Sequence, residues 1–427
     1  MRTVLLKKEF SGNYVGFFRK KPFFVALSLA AGAALYFSVP LLFRISYEAP
    51  PASAIASTTP QILVLPPVVH LPTPKPQKSI YMTSCVVGTP SFRKDLVKLI
   101  EETELNSIVI DIKDFSGTLS FTPASDELKP FVSKRCMAPD MKEFIELLHD
   151  KDIYVIGRIT VFQDPFFAQL RPDLAVKKKS DGGTWKDYKG ISYMDPGAKE
   201  VWDHTVAIAK ESYAIGFDEL NFDYIRFPSD GPMSDIAFTF SGNREKSDVL
   251  EEFFIYLSNK LQPTGAILSA DLFGMTTTNT DDLNIGQVLE KAAPHFDYIA
   301  PMVYPSHYPP NFNGWPNPNK EVYGVIEYSM KKAVERFRAT TTPIALPNAE
   351  QVSTTTKPFL YSKDSWNIQK LRPWLQDFDY GGNYDVAEVK AQIQAVYDVG
   401  LTSWMLWSPS NRYTRGALLP AVATTAK

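Results

Sequence analysis

Beyond residue 79, hydrophobic positions follow two alternating patterns. Short apolar runs rich in β-branched and aromatic residues predict buried strands; they lie at residues 80–87, 107–113, 154–161, 217–224, 266–272, 298–304, 344–347 and 403–407. Between them, apolar residues recur every three or four positions, which is typical of one helix face; these stretches lie at residues 92–102, 141–149, 201–213, 249–261, 285–292, 322–338 and 386–399. Eight strands alternating with helices over about 330 residues predict an α/β fold, a (β/α)8 TIM barrel, rather than an open sheet.

The fourth predicted strand has polar side chains where a buried strand normally has apolar ones. Because side chains alternate between the two faces of a strand, Glu219, Asn221 and Asp223 share one face, and Leu220 and Phe222 share the other. A buried charge is costly unless it is paired or hydrogen-bonded, and such groups concentrate where chemistry occurs. This strand therefore predicts a functional site.

A TIM barrel carries its chemistry at the C-terminal ends of the strands. We expect Asp111 and Lys113, near the end of the second strand, to neutralise each other as a structural pair. Other polar and aromatic residues on the strands, mostly near these ends, are predicted to bind substrate: Asp114, Arg158, Glu219, Asn221, Arg226, Tyr304, His307, Asn348, Trp404 and Trp407.

Two carboxylates at the ends of neighbouring strands suit hydrolysis of a glycosidic bond. Asp223 and Asp271 each follow an apolar strand residue, and we predict that they are the catalytic pair. One would deliver a proton to the departing oxygen, and the other would attack the sugar or activate water. Arg226 is expected to keep one of them charged, and a structural Asp223–Arg226 ion pair is the alternative.

Charge and composition exclude several partners and cofactors. With 45 basic and 47 acidic side chains, the chain has no bias toward nucleic acid. It lacks the HExxH, CxxC and EF-hand patterns of metal sites, a phosphate-binding glycine loop followed by Lys, and a GxSxG elbow. We therefore expect no metal, nucleotide or other cofactor. Cys85 and Cys136 are the two cysteines, and we expect both to be buried and free, although a bridge is possible outside the cytoplasm.

The N-terminal region predicts membrane attachment. Residues 23–43 carry no charge, a run of 21 positions, close to the roughly 20 residues that span a bilayer. Basic residues concentrated before this run predict a cytoplasmic N-terminus and an extracytoplasmic remainder, with a cleaved signal peptide as the alternative. The predicted organisation is a basic segment (1–21), a transmembrane anchor (22–43), a Pro-rich linker (44–79), the barrel (80–415) and a C-terminal tail (416–427).

Several separated motifs resemble one known family. They are FDELNFDYIRFPSDG at residues 217–231, SADLFG at 269–274, APMVYPSHY at 300–308 and RPDLAV at 171–176. They resemble a bacterial family of predicted glycosyl hydrolase domains, a domain of unknown function in the TIM-barrel glycoside hydrolase superfamily. The resemblance covers about residues 80–415 and implies a barrel that acts on a glycan.

A further resemblance bears on Asp223. Chitinase-like barrels have a fourth strand similar to Asp-x-Asp-x-Glu with a terminal Glu as the acid, and Glu219, Asn221 and Asp223 occupy that spacing here. The shorter terminal side chain implies that Asp223 is the nucleophile or a charge stabiliser, with the proton coming from Asp271 or from a loop.

We therefore predict a membrane-anchored glycoside hydrolase that acts on an extracytoplasmic or cell-envelope glycan. The alternative is a carbohydrate-binding or envelope-scaffolding barrel without turnover.

Overall fold

A closed barrel of eight parallel strands forms the centre of the structure. The computed structural model describes residues 68–347, 349–353 and 357–421. We number the barrel strands β1 to β8: Lys78–Met82, Ser107–Lys113, Tyr154–Thr160, Glu219–Asp223, Ile267–Phe273, Tyr298–Met302, Trp374–Gln376 and Trp404–Trp407. Each strand pairs with its neighbours in chain order, and β8 closes onto β1. The predicted (β/α)8 fold is confirmed.

Helices cover the outside of this barrel. In chain order they are α1 to α9: Ser84–Val87, Pro90–Glu101, Met141–His149, Pro165–Leu170, Lys199–Ala214, Lys246–Leu261, Leu289–Ala292, Val322–Arg338 and Val386–Asp398. Two short antiparallel ribbons lie in the loops and pair Lys177–Lys178 with Ile236–Ala237 and Thr341–Thr342 with Tyr361–Ser362.

The first and seventh strands differ from the prediction. β1 ends at Met82, and the next residues form α1, because the Thr83 hydroxyl accepts a hydrogen bond from the Val86 N–H and caps a helix. Residues 344–347 are not a barrel strand; they are flanked by prolines, which cannot donate to a strand ladder. The true β7 has three residues and gives no apolar run. Asn348, predicted to end this strand, lies outside the described residues.

Alternation along the strands separates two hydrophobic layers. In β2, Ile108, Ile110 and Ile112 pack in the outer layer between barrel and helices, whereas Val109 packs inside the barrel. The other inner residues include Tyr154, Ile156, Ala300, Trp374 and Met405. On the same inner face, but toward the C-terminal ends, come the buried polar side chains. Along the inner face of the barrel, an apolar layer is therefore followed by a polar layer toward the C-terminal ends of the strands.

Residues 68–77, from the segment predicted as a linker, pack beneath the barrel at the N-terminal ends of its strands. The Leu71 N–H donates to Asp218 Oδ1 at 2.7 Å, and the His70 ring stacks on Tyr213 with centroids 3.9 Å apart. At the other end of the chain, the Glu104 N–H donates to the Leu419 carbonyl at 2.9 Å.

The predicted membrane span at residues 22–43 lies outside the described residues, as do residues 1–21 and 44–67. None of the helices within residues 68–347, 349–353 and 357–421 combines the length and apolar character needed to cross a bilayer.

Cys85 and Cys136 form a disulfide, with Cα atoms 4.1 Å apart. The expectation of two buried free cysteines is therefore wrong. Because β1 stops at Met82, Cys85 lies on the exposed helix α1 instead of inside a strand.

Candidate active site

The Arg158 guanidinium, from β3, is the centre of the polar layer at the C-terminal ends of the strands. Its Nη1 donates to Asp111 Oδ1 at 2.7 Å. Its Nε and Nη2 donate to Asp223 Oδ2 at 3.1 and 2.5 Å. The same Nε lies 3.9 Å from Asp271 Oδ2. Since all four side chains are at most 5% exposed, these charges interact with little solvent screening.

Asp223 and Asp271 come from the adjacent strands β4 and β5, where Phe222 pairs with Ala270. The distances of 3.1 and 3.9 Å to one shared nitrogen bound the separation of their nearer oxygens at about 7 Å. Retaining glycosidases place their carboxyl groups about 5–5.5 Å apart, and inverting enzymes about 6.5–9.5 Å apart. An upper bound on this one pair of oxygens accommodates the separation found in retaining enzymes.

Both oxygens of Asp223 are held in place. Arg158 binds Oδ2, and the Tyr224 N–H donates to Oδ1 at 2.6 Å. Tyr224 has a φ of +51°, a left-handed conformation that is rare for a bulky residue. Such backbone strain concentrates at functional sites. Here it accompanies the hydrogen bond from the Tyr224 N–H to the preceding carboxylate.

Asp271 has a different environment. Its Oδ1 accepts hydrogen bonds from Asn221 Nδ2 at 2.9 Å and from Trp374 Nε1 at 2.8 Å. Burial raises the pKa of Asp271 well above its usual value, and the charge of Asp223 raises it further, against the opposing effect of Arg158. Burial and the charge of Asp223 therefore favour the protonated form of Asp271, while Asp223 is paired with a cation.

Asp111 completes the cluster. Its Oδ2 accepts a hydrogen bond from the Tyr81 hydroxyl at 2.5 Å. Burial raises its pKa to about 6, although Arg158 opposes the shift.

The predicted Asp111–Lys113 pair is wrong: Lys113 Nζ pairs with Asp164 at 2.5 Å. A register irregularity between Asp111 and Lys113 separates the two side chains.

A cavity of about 210 Å³ opens above this cluster. Trp407 forms one wall: it stacks on Tyr81 with centroids 3.9 Å apart, and its ring lies 5.0 Å from the Arg158 guanidinium carbon. The lining residues are Arg158, Asp223, Tyr224, Arg226, Phe273, Met302, Tyr304, His307 and Trp407. Aromatic faces beside a carboxylate and two guanidinium groups suit a polar ring such as a sugar.

Six of the predicted site residues line this cavity: Arg158, Asp223, Arg226, Tyr304, His307 and Trp407. Asp271 does not line it and is 1% exposed. Asn221 lies deeper in the barrel, where it contacts Ser269 and Asp271. Arg158, and not Arg226, is the cation paired with Asp223; Arg226 donates to the Phe227 carbonyl and the Ser229 hydroxyl.

Three predicted substrate-binding residues lie away from the cavity. Glu219 begins β4, four positions before Asp223, so it lies near the opposite end of the barrel, where it binds Arg372 at 2.8 Å. Trp404 is fully buried in the outer layer, because a three-residue offset puts it on the opposite face of β8 from Trp407. Asp114 accepts hydrogen bonds from Ser84 and Ser116 in a turn.

Sequence reasoning missed Tyr81, Tyr224 and Trp374. Tyr81 and Trp374 look like ordinary apolar strand residues, and only the closed barrel brings them to Asp111 and Asp271. Tyr224 directly follows Asp223, and its place next to a predicted catalytic residue is the sequence feature that could have identified it as a site residue.

No set of three or more His, Cys, Asp or Glu side chains is arranged to hold a metal ion in the part of the chain that the structure describes. Its three clustered carboxyl groups surround a guanidinium instead.

Solved structures share this architecture. The glycoside hydrolase domain of PgaB (BpsB) from Bordetella bronchiseptica aligns with a TM-score of 0.54 and 10% identity, covering 81% of this chain and 99% of that one. Alpha-L-fucosidase isoenzyme 2 from Paenibacillus thiaminolyticus aligns with a TM-score of 0.50 and 11% identity. The alignment covers 80% of this chain and 47% of the fucosidase chain. At these identities the likeness shows the fold.

A hypothetical protein from Ruminiclostridium thermocellum ATCC 27405 is 34% identical, with a TM-score of 0.41, and covers 45% of this chain and 96% of its own length. No curated protein matches this chain. Residues 79–413 match a family described as "Putative glycosyl hydrolase domain". Because the match spans well over half of the sequence, the chain belongs to this family of glycosyl hydrolase domains.

Proposed function

We propose that this chain hydrolyses a glycosidic bond in an extracytoplasmic or cell-envelope glycan, with Asp223 as the nucleophile and Asp271 as the proton-carrying partner. The observation that carries the proposal is the pair of carboxyl groups beside Arg158. One is ion-paired and lines the cavity, and the other is buried with a raised pKa. Opposed environments of this kind divide two carboxyl groups into a base and an acid.

The chemistry follows from this division. The charged Asp223 oxygen attacks the anomeric carbon, and the bond from that carbon to the departing oxygen breaks. The departing oxygen takes up one proton from Asp271, the member of the pair whose raised pKa favours the protonated form. Water then hydrolyses the glycosyl ester: its oxygen bonds to the anomeric carbon, its proton passes to Asp271, and Asp223 is released as a carboxylate. Arg158 and the Tyr224 N–H hold the carboxylate in position for the attack.

The role of Asp223 is tested by nucleophile rescue. The full-length protein in detergent is assayed on a polysaccharide panel, and the anomeric configuration of the first product is read by NMR. We expect retention, loss of turnover in Asp223→Gly, and formation of a glycosyl azide of inverted configuration when azide is added. Asp230→Asn, an exposed change in the loop after β4, is the matched control. Inverted products from the unmodified protein would contradict the nucleophile assignment.

The role of Asp271 needs a separate test, since it lies outside the cavity lining. A proton donor matters less when the leaving group is a good one. Asp271→Asn should therefore lose about 10²- to 10⁴-fold on natural glycosides and much less on dinitrophenyl glycosides. Equal losses on both substrate types would show that Asp271 only supports the structure of the site.

The competing hypothesis is a carbohydrate-binding barrel without turnover. The observation that favours it is that Asp223 is the single carboxylate among the residues that line the cavity. Glycan binding by the intact protein, with no product after long incubation across the panel, would select this alternative.

We also propose that the barrel lies outside the cytoplasm, anchored by residues 22–43. The uncharged run of 21 residues and the basic cluster before it support the anchor. The Cys85–Cys136 disulfide supports the compartment, because disulfides persist in oxidising environments. An alkaline phosphatase reporter fused after Lys427 should be active in intact cells. Activity of a cytoplasmic reporter at the same position would refute this topology.

A further inference from the structure

Arg226 is a cation in the cavity that has no anionic partner in the part of the chain that the structure describes. Its Nη1 donates to the Phe227 carbonyl at 3.1 Å and to the Ser229 hydroxyl at 3.2 Å. Its guanidinium carbon lies 5.1 Å from the centre of the Tyr224 ring. Among the described residues no carboxylate forms an ion pair with Arg226, whereas both charged neighbours in the cavity, Arg158 and Asp223, are paired with each other.

Lys189 is a second cation close enough to the cavity to act on one of its lining residues. The charge of Lys189, in the long loop after β3, acts together with burial to lower the pKa of His307, another lining residue. Lys189 is exposed and has no carboxylate partner in the described part of the chain. The Asp187 carboxylate, in the same loop, accepts the backbone N–H groups of Lys189 and Ile191 through Oδ1.

The charge around the cavity is therefore uneven. Asp111 and Asp223 both bind Arg158, and burial favours the protonated form of Asp271 by raising its pKa. Among the described residues Arg226 and Lys189 are in no ion pair, although the charge of Asp187 also acts on Tyr224. A guanidinium presents a planar fork that matches carboxylate or sulfate oxygens and binds them more strongly than neutral hydroxyls.

We propose that the sugar bound in this cavity carries an anionic substituent, and that Arg226 is the residue that selects it. The inference rests on the proposed function and names its substrate class: an acidic glycan, with a carboxylate or a sulfate ester within reach of Arg226. The Tyr224 ring lies against the guanidinium, and Lys189 adds a positive charge near the cavity.

The test measures binding separately from turnover. The full-length protein with Asp223→Asn is titrated by calorimetry in detergent with polygalacturonate and its carboxyl-reduced form, and with dextran sulfate and dextran. We expect the acidic member of at least one pair to bind about 10- to 100-fold tighter than its neutral counterpart. A preference in the first pair identifies a carboxylate, and a preference confined to the second identifies a sulfate.

Substitution at position 226 assigns that preference. In the same background, Arg226→Gln should remove it, and Arg226→Lys should keep part of it because the charge stays while the fork is lost. Arg338→Gln, an equal charge change at the exposed last turn of α8, should leave it intact. The proposal is overturned if acidic and neutral members bind alike, if none binds, or if Arg226→Gln retains the full preference.

The outcomes separate this inference from the proposed function. Hydrolysis of a neutral glycan without binding of acidic ones would overturn the inference and leave the hydrolase intact. Arg226-dependent binding of an acidic glycan that the unmodified protein never cleaves would uphold the inference and overturn the hydrolase.

Discussion

Replacing Arg158 by Met tests whether the buried charge cluster is organised as described. Met has a similar length but no charge, so Asp111 and Asp223 would each lose the cation that they bind. Breaking a buried ion pair by removing one partner costs about 3–5 kcal/mol, because a buried charge is left uncompensated. A domain is stable by only about 5–15 kcal/mol, so at pH 7.5 this change is a large fraction of the total.

The pH dependence gives the prediction its specificity. The pKa of Asp111 is about 6 in the folded protein, above the 3.8 of an exposed carboxyl group, even though Arg158 opposes the shift. A raised folded-state pKa means stability that is present at low pH and lost as the pH rises through that value. Without Arg158 the value rises further, so the variant should recover about 1–2 kcal/mol relative to wild type between pH 7.5 and pH 5.

Urea unfolding followed by tryptophan fluorescence at the two pH values measures both quantities. Arg338→Met, at an exposed position of α8, should change stability by no more than about 0.5 kcal/mol. A loss below about 1 kcal/mol at pH 7.5, or a difference between Arg158→Met and wild type that does not depend on pH, would refute the reasoning.

Three further predictions concern individual contacts. Asp271→Asn should keep stability within about 1 kcal/mol, because the amide oxygen still accepts from Asn221 and Trp374, whereas Asp271→Leu should cost about 2–4 kcal/mol by urea unfolding. At position 224, Val should be less stable than Gly by about 1–3 kcal/mol and slower in turnover, because only Gly accepts a positive φ without strain. Cys85→Ser should cost up to about 4 kcal/mol, since the disulfide closes a loop with a sequence separation of 51.

Each of these three predictions has a control within the same set of variants. Equal stability of Asp271→Asn and Asp271→Leu would show that the two donors do not depend on this carboxyl group. A Tyr224→Val protein as stable and active as Tyr224→Gly would remove the argument from backbone strain. Reductant should destabilise the wild-type protein and leave Cys85→Ser unchanged; sensitivity of both would place the effect elsewhere.

Much of the fold could be predicted from the sequence, because each long barrel strand appears as a run of apolar residues. The long apolar run Ser107–Lys113 was found with its correct bounds, and Tyr154–Thr160 was found to within one residue. β7 was missed because three residues are too few to show any period, and closure of the barrel supplies the pairing that its own sequence does not. Hydrogen bonds with neighbours hold this strand in place.

The candidate site could be predicted only in part, again from the regular pattern of side chains along a strand. The alternation in β4 correctly predicted that Glu219, Asn221 and Asp223 share the inner face. It does not say whether each side chain lies near the N-terminal or the C-terminal end of the barrel. Glu219 is therefore on the predicted face at the wrong end. Trp404 shows the converse error, since it is near the right end of β8 but on the outer face.

The sequence alone determined the barrel, the inward polar face of β4 and the presence of carboxyl groups at the ends of two adjacent strands, because each follows from local periodicity and chain order. Only the tertiary structure decided that Arg158 binds Asp223, that Trp374 binds Asp271 and that Arg226 has no carboxylate partner among the described residues. Residues far apart in the chain meet only when the sheet closes. Their burial and charge then depend on every neighbouring strand, and no single stretch of sequence records them.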